Sequence, residues 1–301
     1  MLQFADLKGL YRAIHARWQS TSSSTFTDAD PWQTLGRNHQ HLVVMPPWEC
    51  GQVDTPGGPN GFWIFGKLAA QQNMTTNSFY APRLSRKQVG FFCGEQAISL
   101  IRNGLDEKTA YVFENTAMVL GLNLRGHYCR KVDGTILCSM DDAREGLDGI
   151  LLAELPVMPT DKLIAISATD VQSNKFFGLG WSVPEAWGRW TNGPEAVMVL
   201  RVADRSREAV VYLSMVAFVP SRHEQRVEIS ANGSTLGTWF FDPTRQDAEI
   251  SLRIPAGSID SDGIVVLTFR MPDSISPSAI GKSNDLRLLG IGIKGLQLAQ
   301  Q

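Results

Sequence analysis

The sequence has few cysteines and no excess of charge of either sign. Its four cysteines in 301 residues are too few for a scaffold built from disulfides, and none has the C-x-x-C spacing of a zinc site. With 28 basic and 30 acidic residues the net charge is −2, which provides no field to attract a nucleic-acid backbone. We therefore predict no metal site, no cofactor and no nucleic-acid partner.

Long apolar runs are also missing. No run approaches the roughly 20 apolar residues that cross a bilayer. Residues 1–18 show helical spacing of apolar residues, without the small-residue cleavage site of a signal peptide. On this basis we expect no targeting signal in these residues, and we expect the chain to be cytoplasmic or the soluble part of a protein whose anchor lies elsewhere.

The common nucleotide and hydrolase motifs are absent as well. The glycine-rich segment 54–61 contains two prolines that remove amide donors, so we interpret it as a loop and not as a phosphate site. The "SIDSDG" segment at 258–263 lacks the later glutamate of a calcium loop and is typical of a turn.

The first half alternates strand-like and helix-like segments. This pattern predicts an α/β domain over residues 1–155, with a mostly parallel sheet. The predicted order is strand 41–47, helix 61–74, strand 75–81, helix 85–104 and strand 109–115.

A hairpin is predicted to end this domain, because Asp133-Gly134 suits a type I′ turn between two β-rich runs. In that register Cys129 faces Cys138 at a non-hydrogen-bonded pair, where side chains approach closely enough for a disulfide. Such a bond favours an oxidising compartment. Cys50 and Cys93 are a second possible pair only because they are the two cysteines left when Cys129 and Cys138 are paired.

Residues 161–301 are predicted to form a β-sandwich, jelly-roll-like and similar to carbohydrate-binding domains. At least seven short strands with turns between them follow "ELPVMPT", whose Pro156 and Pro159 mark a linker. The Asn232-Gly233 turn is predicted to place Ile229 opposite Leu236. Arg226, Glu228 and Ser230 then lie on a solvent-facing side. We place the domain boundary near residues 155–163.

Candidate acid–base groups of the first domain lie at or just after strand ends, where open α/β sheets bind ligands. A hydrogen-bonded structural role is the alternative for each, and residues 114–116 are equally suited to cap a helix. The candidates are Glu49, Asp54, Glu114 and His127.

Tryptophan is concentrated at one place. Of eight tryptophans, Trp181, Trp187 and Trp190 lie within ten residues. Large aromatic rings pack cores and also stack on sugar rings. One interpretation of the cluster is a surface that binds sugar. The alternative is that all three rings close the end of the sandwich core.

Trp187 and Trp190 are three residues apart, which in an extended segment places them on opposite sides. We therefore predict that Trp190 packs in the sandwich and Trp187 lies outside. The predicted ligand-binding residues are Trp187, Arg189, Glu185, Trp181 and Asn192.

Two sets of segments resemble known proteins. The pattern "GWSVPEAWGRWTNGPEAVMVLRV" with "VEISANGSTLGTWFF", "LRIP" and "SPSAIGKSNDLRLLGIGIKGLQL" resembles a β-sandwich module appended to bacterial cell-envelope sugar transferases and phosphoglycerol transferases. "HLVVMPPWECG", "MTTNSFYAPR" and "YVFENTAMVLGLNLRGHYCRKVDGTILC" look like the soluble region that follows the membrane helices of uncharacterised bacterial sugar-transferase-type proteins.

This resemblance implies a soluble accessory region on the periplasmic face of the inner membrane. It would bind glycan or polysaccharide beside a membrane-embedded segment of the same protein or a membrane partner, and would not contain a complete active site. Two alternatives remain: a glycan-modifying enzyme that uses acids of the first domain, and a protein–protein docking module.

Overall fold

The computed structural model describes residues 115–300, with interruptions at 123, 125–126, 133–134, 141–145, 171 and 222, and four earlier strands at 41–45, 75–76, 88–91 and 109–113. These residues are predominantly β-structure. Among them no helix has the length and apolar character to cross a membrane, and no cluster of His, Cys, Asp or Glu is arranged to hold a metal ion.

A seven-stranded mixed sheet is built from the first half of the chain, in the order β2-β3-β1-β4-β6-β5-β7. Strand β1 pairs in parallel with both β3 and β4. The strands are β1 His41–Met45, β2 Thr75–Thr76, β3 Gln88–Phe91, β4 Thr109–Phe113, β5 Tyr128–Val132, β6 Thr135–Ser139 and β7 Gly146–Leu147.

The predicted α/β character of this domain is not evident in the described residues. The described residues of this domain contain two short α-helices, α1 (Thr116–Leu120) and α2 (Gly149–Glu154). The predicted helix 85–104 is wrong over residues 88–91, which form β3 and pair with β1, because sheet pairing outweighs a local helical pattern. The predicted helix 61–74 and the N-terminal helix lie outside the described residues.

The predicted hairpin register is confirmed. Strands β5 and β6 are antiparallel with Cys129 opposite Cys138, and a disulfide joins the two residues, whose Cα atoms are 4.1 Å apart. Both cysteines are buried in the core of this sheet. The Asp133-Gly134 turn and the proposed Cys50–Cys93 pair lie outside the described residues.

The predicted sandwich is present after residue 160, and the seven predicted strands are all found. Two short strands precede them, so the full set runs from β8 to β16. The bounds are β8 Ile164–Ala165, β9 Arg189–Trp190, β10 Glu195–Arg201, β11 Ala209–Ala217, β12 Gln225–Ala231, β13 Ser234–Phe241, β14 Asp247–Ile254, β15 Ile264–Arg270 and β16 Ile291–Gln300.

The sandwich has a four-stranded sheet, in the order β10-β15-β12-β13, and a five-stranded sheet. The five-stranded sheet has the order β14-β11-β16-β8, and its fifth strand, β9, also pairs with β16. From β10 to β16, consecutive strands change sheet except at the β12–β13 hairpin, which is a jelly-roll arrangement. Alternating inward residues of both sheets form one hydrophobic core, and Val211, Leu213, Val227 and Ile229 are examples of its fully buried members.

The β12–β13 turn forms as predicted, with Asn232 at φ 45° and Gly233 at φ 82°. The pairing beyond it differs by one residue: a bulge between Ile229 and Ser230 places Ile229 opposite Gly237, and not opposite Leu236. The facing of β12 is still as predicted. Val227 and Ile229 are buried, and Arg226 is exposed.

Candidate functional site

The tryptophan segment folds as an irregular hairpin that lies over the end of the five-stranded sheet. Ser182 N–H donates to the Trp190 carbonyl (2.8 Å), and Glu185 N–H donates to the Gly188 carbonyl (2.7 Å). The chain therefore reverses between residues 185 and 188. At this turn Gly188 lies so close to β16 that a Cβ would meet the Ile293 carbonyl oxygen at 2.5 Å, so only glycine fits.

Trp181 belongs to the core. Its side chain is 3% exposed and stands edge-on to the rings of Phe177 and Phe269. Its Nε1–H donates to the Val197 carbonyl (2.7 Å). A ligand has no access to this ring, so the prediction of Trp181 as a ligand contact is wrong.

Trp187 and Trp190 lie on the same side of the sheet, which corrects the prediction that they face opposite sides. Their ring centroids are 5.1 Å apart at an interplanar angle of 70°. The alternation rule holds for an extended chain, and here the turn at 185–188 separates the two residues. Trp187 is exposed at 37%, whereas Trp190 is half-buried.

Gly292 in β16 provides the space beneath Trp187. A Cβ on Gly292 would lie 2.5 Å from the Cη2 atom of the Trp187 ring. Gly292 is also the pairing partner of Trp190 in β9 and of Val216 in β11. The two tryptophans therefore lie on the outer face of the five-stranded sheet, where cross-strand partners project together.

A charged network holds Trp187 in place. Its Nε1–H donates to Oε2 of Glu185 (2.8 Å), and Oε1 of Glu185 accepts from Nη1 of Arg287 (3.0 Å). Arg287 also donates from Nε and Nη2 to Asp285, at 3.0 Å and 2.7 Å, and from Nη1 to Oγ of Ser182. The exposed indole is thus fixed through Glu185 to a guanidinium that is itself held at several points.

The same network sets the charge state of Asp285. Hydrogen bonds from the Arg287 side chain lower the pKa of the Asp285 carboxyl, against a smaller opposing effect of burial. Asp285 is therefore ionised at neutral pH, and its contribution to stability is present above the ordinary pKa of about 3.9 and is lost as the pH falls through the lower folded value.

Phe218 and Lys282 extend the aromatic surface. The Phe218 ring lies 6.3 Å from that of Trp190 at 86°, and Nζ of Lys282 lies 5.8 Å from the Phe218 centroid. We call Trp187, Trp190 and Phe218 the aromatic cluster. Because neighbouring rings stand at steep angles, they form a stepped surface and not one flat platform.

Arg189 and Asn192, both predicted to contact ligand, make contacts within the protein. Arg189 is 6% exposed, donates from Nε to the Ser182 carbonyl, and has its guanidinium 4.9 Å from the Phe177 centroid. Oδ1 of Asn192 accepts from Leu288 N–H (3.0 Å). The prediction for Arg189 is corrected: in β9 its side chain points inward because that of Trp190 points outward. The ligand contact of the half-buried Asn192 stays a prediction.

The candidate acid–base groups are not brought together in the described residues. Glu49, Asp54 and Glu114 lie outside them. His127 is 2% exposed, and its ring stands edge-on to that of Tyr111. Asn115 caps α1, with Oδ1 accepting from Met118 N–H (2.9 Å), so the capping alternative for residues 114–116 is confirmed at Asn115.

The sequence analysis missed Arg287, Phe218 and Lys282. Their distance along the chain explains this, since Arg287 and Glu185 are 102 residues apart. One local signal was available: a glycine inside a strand, as at Gly292, marks a place where another group approaches the backbone closely.

Comparison with known families gives one match, the DUF6311 C-terminal domain, over residues 31–140. This segment includes the first-half motifs on which the resemblance to an uncharacterised family was based. The match contains no indication of sugar-transferase or phosphoglycerol-transferase relatives. No curated protein matches the chain.

Solved structures that resemble parts of the chain are distant. A CBM36-1 domain of a multidomain xylanase from the hindgut metagenome of Trinervitermes trinervoides is 15% identical, with 36% of this chain and 72% of that chain covered and a TM-score of 0.23. A family two carbohydrate esterase from Clostridium thermocellum is 6% identical, with 46% of this chain and 33% of that chain covered and a TM-score of 0.24. The Cry4Aa toxin from Bacillus thuringiensis is 11% identical, with coverage of 56% and 26% and a TM-score of 0.30. These scores support no functional argument.

Proposed function

We propose that the sandwich binds glycan at the aromatic cluster. The observation that carries this proposal is the exposed Trp187 ring, held rigidly by the Glu185–Arg287 network. An exposed aromatic ring offers its face to the C–H face of a sugar, and a ring fixed before binding loses little conformational entropy when the ligand arrives.

Polar groups beside the ring supply hydrogen bonds. Each carboxylate oxygen of Glu185 already accepts one bond and has capacity for another, from a sugar hydroxyl. At the other end of the cluster the Lys282 ammonium is a donor. This combination of aromatic faces with a few placed polar groups is typical of ligand sites.

The biological setting belongs to the same proposal. The chain serves as a glycan-holding accessory region of a membrane glycosyltransferase-like protein of envelope polysaccharide synthesis, on the periplasmic face of the inner membrane. The Cys129–Cys138 disulfide supports an oxidising compartment.

The binding test compares two exposed aromatic residues. Trp187→Ala is expected to weaken binding of a bacterial envelope polysaccharide at least about tenfold, without a change in thermal stability. Phe240→Ala is the control, because Phe240 is 56% exposed on the other sheet. Affinity is measured by calorimetric titration after screening on a glycan array. Equal affinity of Trp187→Ala and the unaltered protein contradicts the proposal.

The setting has its own test. Mass spectrometry of unreduced protein from the cell envelope is expected to show the Cys129–Cys138 link, and two free thiols there contradict the periplasmic location. Membrane helices encoded immediately upstream of Met1 in the gene would support the membrane context.

A further inference from the structure

The outer face of the five-stranded sheet continues beyond the aromatic cluster along β11. From Tyr212 in β11 to Phe218 directly after it, outward residues alternate with buried ones. Tyr212, Ser214, Val216 and Phe218 therefore follow one another on the face that bears the cluster. The pairing of β11 with β14 is continuous from residue 210 to residue 216, which keeps this alternation intact. Tyr212, at the far end, is 42% exposed.

Small and polar residues lie between the two aromatic ends. Ser214 has Glu249 on one side and Gly295 on the other. Further along, Tyr212 has Ser251 and Gln297 as its cross-strand partners. Gly295 has no side chain, and the others carry hydroxyl, carboxylate or amide groups.

We call the outer surface along β11, from Phe218 to Tyr212 with the neighbouring residues of β14 and β16, the strip. An ion pair crosses this strip between its aromatic ends. Lys294 of β16 is hydrogen-bonded to Asp247 of β14, and because β11 lies between those two strands the pair spans it. Both side chains are partly exposed, at 41% and 67%. The pair therefore presents a donor and an acceptor to anything that lies along β11.

The strip is too long for a single sugar. Tyr212 and Phe218 are six positions apart, which corresponds to about 20 Å along a strand. We infer that this face is one extended surface for an internal stretch of polysaccharide, running along β11 from Trp187 to Tyr212. Tyr212 is then a distant aromatic contact for the chain. The inference rests on the proposed function and adds the class of ligand: an extended polymer and not a terminal sugar.

The chemistry of the strip favours a polysaccharide over a protein. Aromatic rings lie only at its two ends, and the middle is formed mainly by polar groups and glycine. Its aliphatic side chains are Val216 and the exposed Leu163, whose Cδ1 atom would lie 3.4 Å from a Cβ on Gly295. The centre of a protein–protein interface is in contrast apolar and depleted of charge. Sugar hydroxyls, spaced regularly along a polymer, match polar groups that recur along β11.

The test uses a series of oligosaccharides made by partial hydrolysis of the envelope polysaccharide that binds the unaltered protein, graded from disaccharides to long fragments. Tyr212→Ala is expected to weaken binding of the long fragments by about threefold to tenfold. Binding of the shortest ones is expected to stay unchanged. Tyr212→Phe keeps the ring and is expected to retain most of the affinity for long fragments.

The outcomes separate the two proposals. If Trp187→Ala weakens binding of every fragment but Tyr212→Ala weakens none, or weakens all lengths equally, the extended surface is overturned and glycan binding at the cluster stands. If Trp187→Ala has no effect, the proposed function itself fails. Phe240→Ala, on the opposite sheet, is expected to bind all lengths like the unaltered protein.

Discussion

For Trp181 and Trp187, the hydrogen-bond partner of the indole N–H indicates the role of the ring. The Trp181 N–H bonds a buried carbonyl, whereas the Trp187 N–H bonds a half-buried carboxylate at the surface. A buried indole N–H needs a hydrogen-bond acceptor, and Trp181 has a main-chain acceptor inside the core. The role of Trp181 is therefore packing. An exposed ring with its polar atom already satisfied is left with only its faces for contact.

The tryptophan that packs in the sandwich core is therefore Trp181, and not Trp190 as the spacing suggested. Trp181→Ala is expected to lower the free energy of unfolding by about 3–5 kcal/mol, because it leaves a cavity in the core and removes one of the two hydrogen bonds to the Val197 carbonyl. Urea unfolding followed by circular dichroism measures this. Trp187→Ala is the matched control and is expected to change little; equal losses in the two variants contradict the assignment.

At the scale of elements, α1 packs closely on β10. Gly121 and Gly178 lie at this contact: a Cβ on Gly121 would meet Val197 Cγ1 at 2.7 Å, and one on Gly178 would meet the Ala117 carbonyl oxygen at 2.9 Å. Asn115 adds a hydrogen bond from Nδ2 to the Phe177 carbonyl (3.3 Å). The helix is thus positioned by the sandwich as well as by its own sheet.

Gly178→Ala tests this contact. The added methyl group would meet backbone oxygens of Ala117 and Val197, at 2.9 and 3.1 Å, and neither can move without shifting α1 or β10. We expect a loss of about 1–3 kcal/mol in the free energy of unfolding. Gly257→Ala is the control, since a Cβ there meets nothing within 4 Å. Similar stabilities of the two variants, measured by denaturant unfolding, would contradict a tight contact.

At the scale of the whole molecule, the segment predicted as a linker is bonded to the sandwich. Met158 N–H donates to the Arg201 carbonyl and Asp161 N–H to the Leu298 carbonyl, both at 2.7 Å. Leu155 and Met158 are members of the sandwich core. The domain boundary near 155–163 stays a prediction, and we expect slow protease cleavage in this segment because its backbone is hydrogen-bonded.

Met158→Ala tests whether the segment contributes to the core. Because Met158 is 1% exposed, we expect the free energy of unfolding to fall by about 2–5 kcal/mol. Val157→Ala, one residue away at 46% exposure, is expected to stay within about 0.5 kcal/mol of the unaltered protein. A small effect of Met158→Ala in chemical denaturation would mean that the segment is only a tether.

The sequence by itself determined the features that depend on neighbours along the chain. Alternation predicted the strands of the sandwich, and turn chemistry predicted the Asn232-Gly233 turn and the opposition of Cys129 and Cys138. These follow from local rules, in which a two-residue turn sets the register of the strands it joins.

Only the tertiary structure decided the site. The Arg287–Glu185 pair and the placement of Trp187 over Gly292 join residues about a hundred positions apart, and no spacing within one segment encodes them. The tryptophan argument failed because the alternation of side chains applies only while the chain stays extended, and the reversal at 185–188 is held by packing against β16. Local sequence determines which residues can be exposed, and long-range packing decides which of them meet.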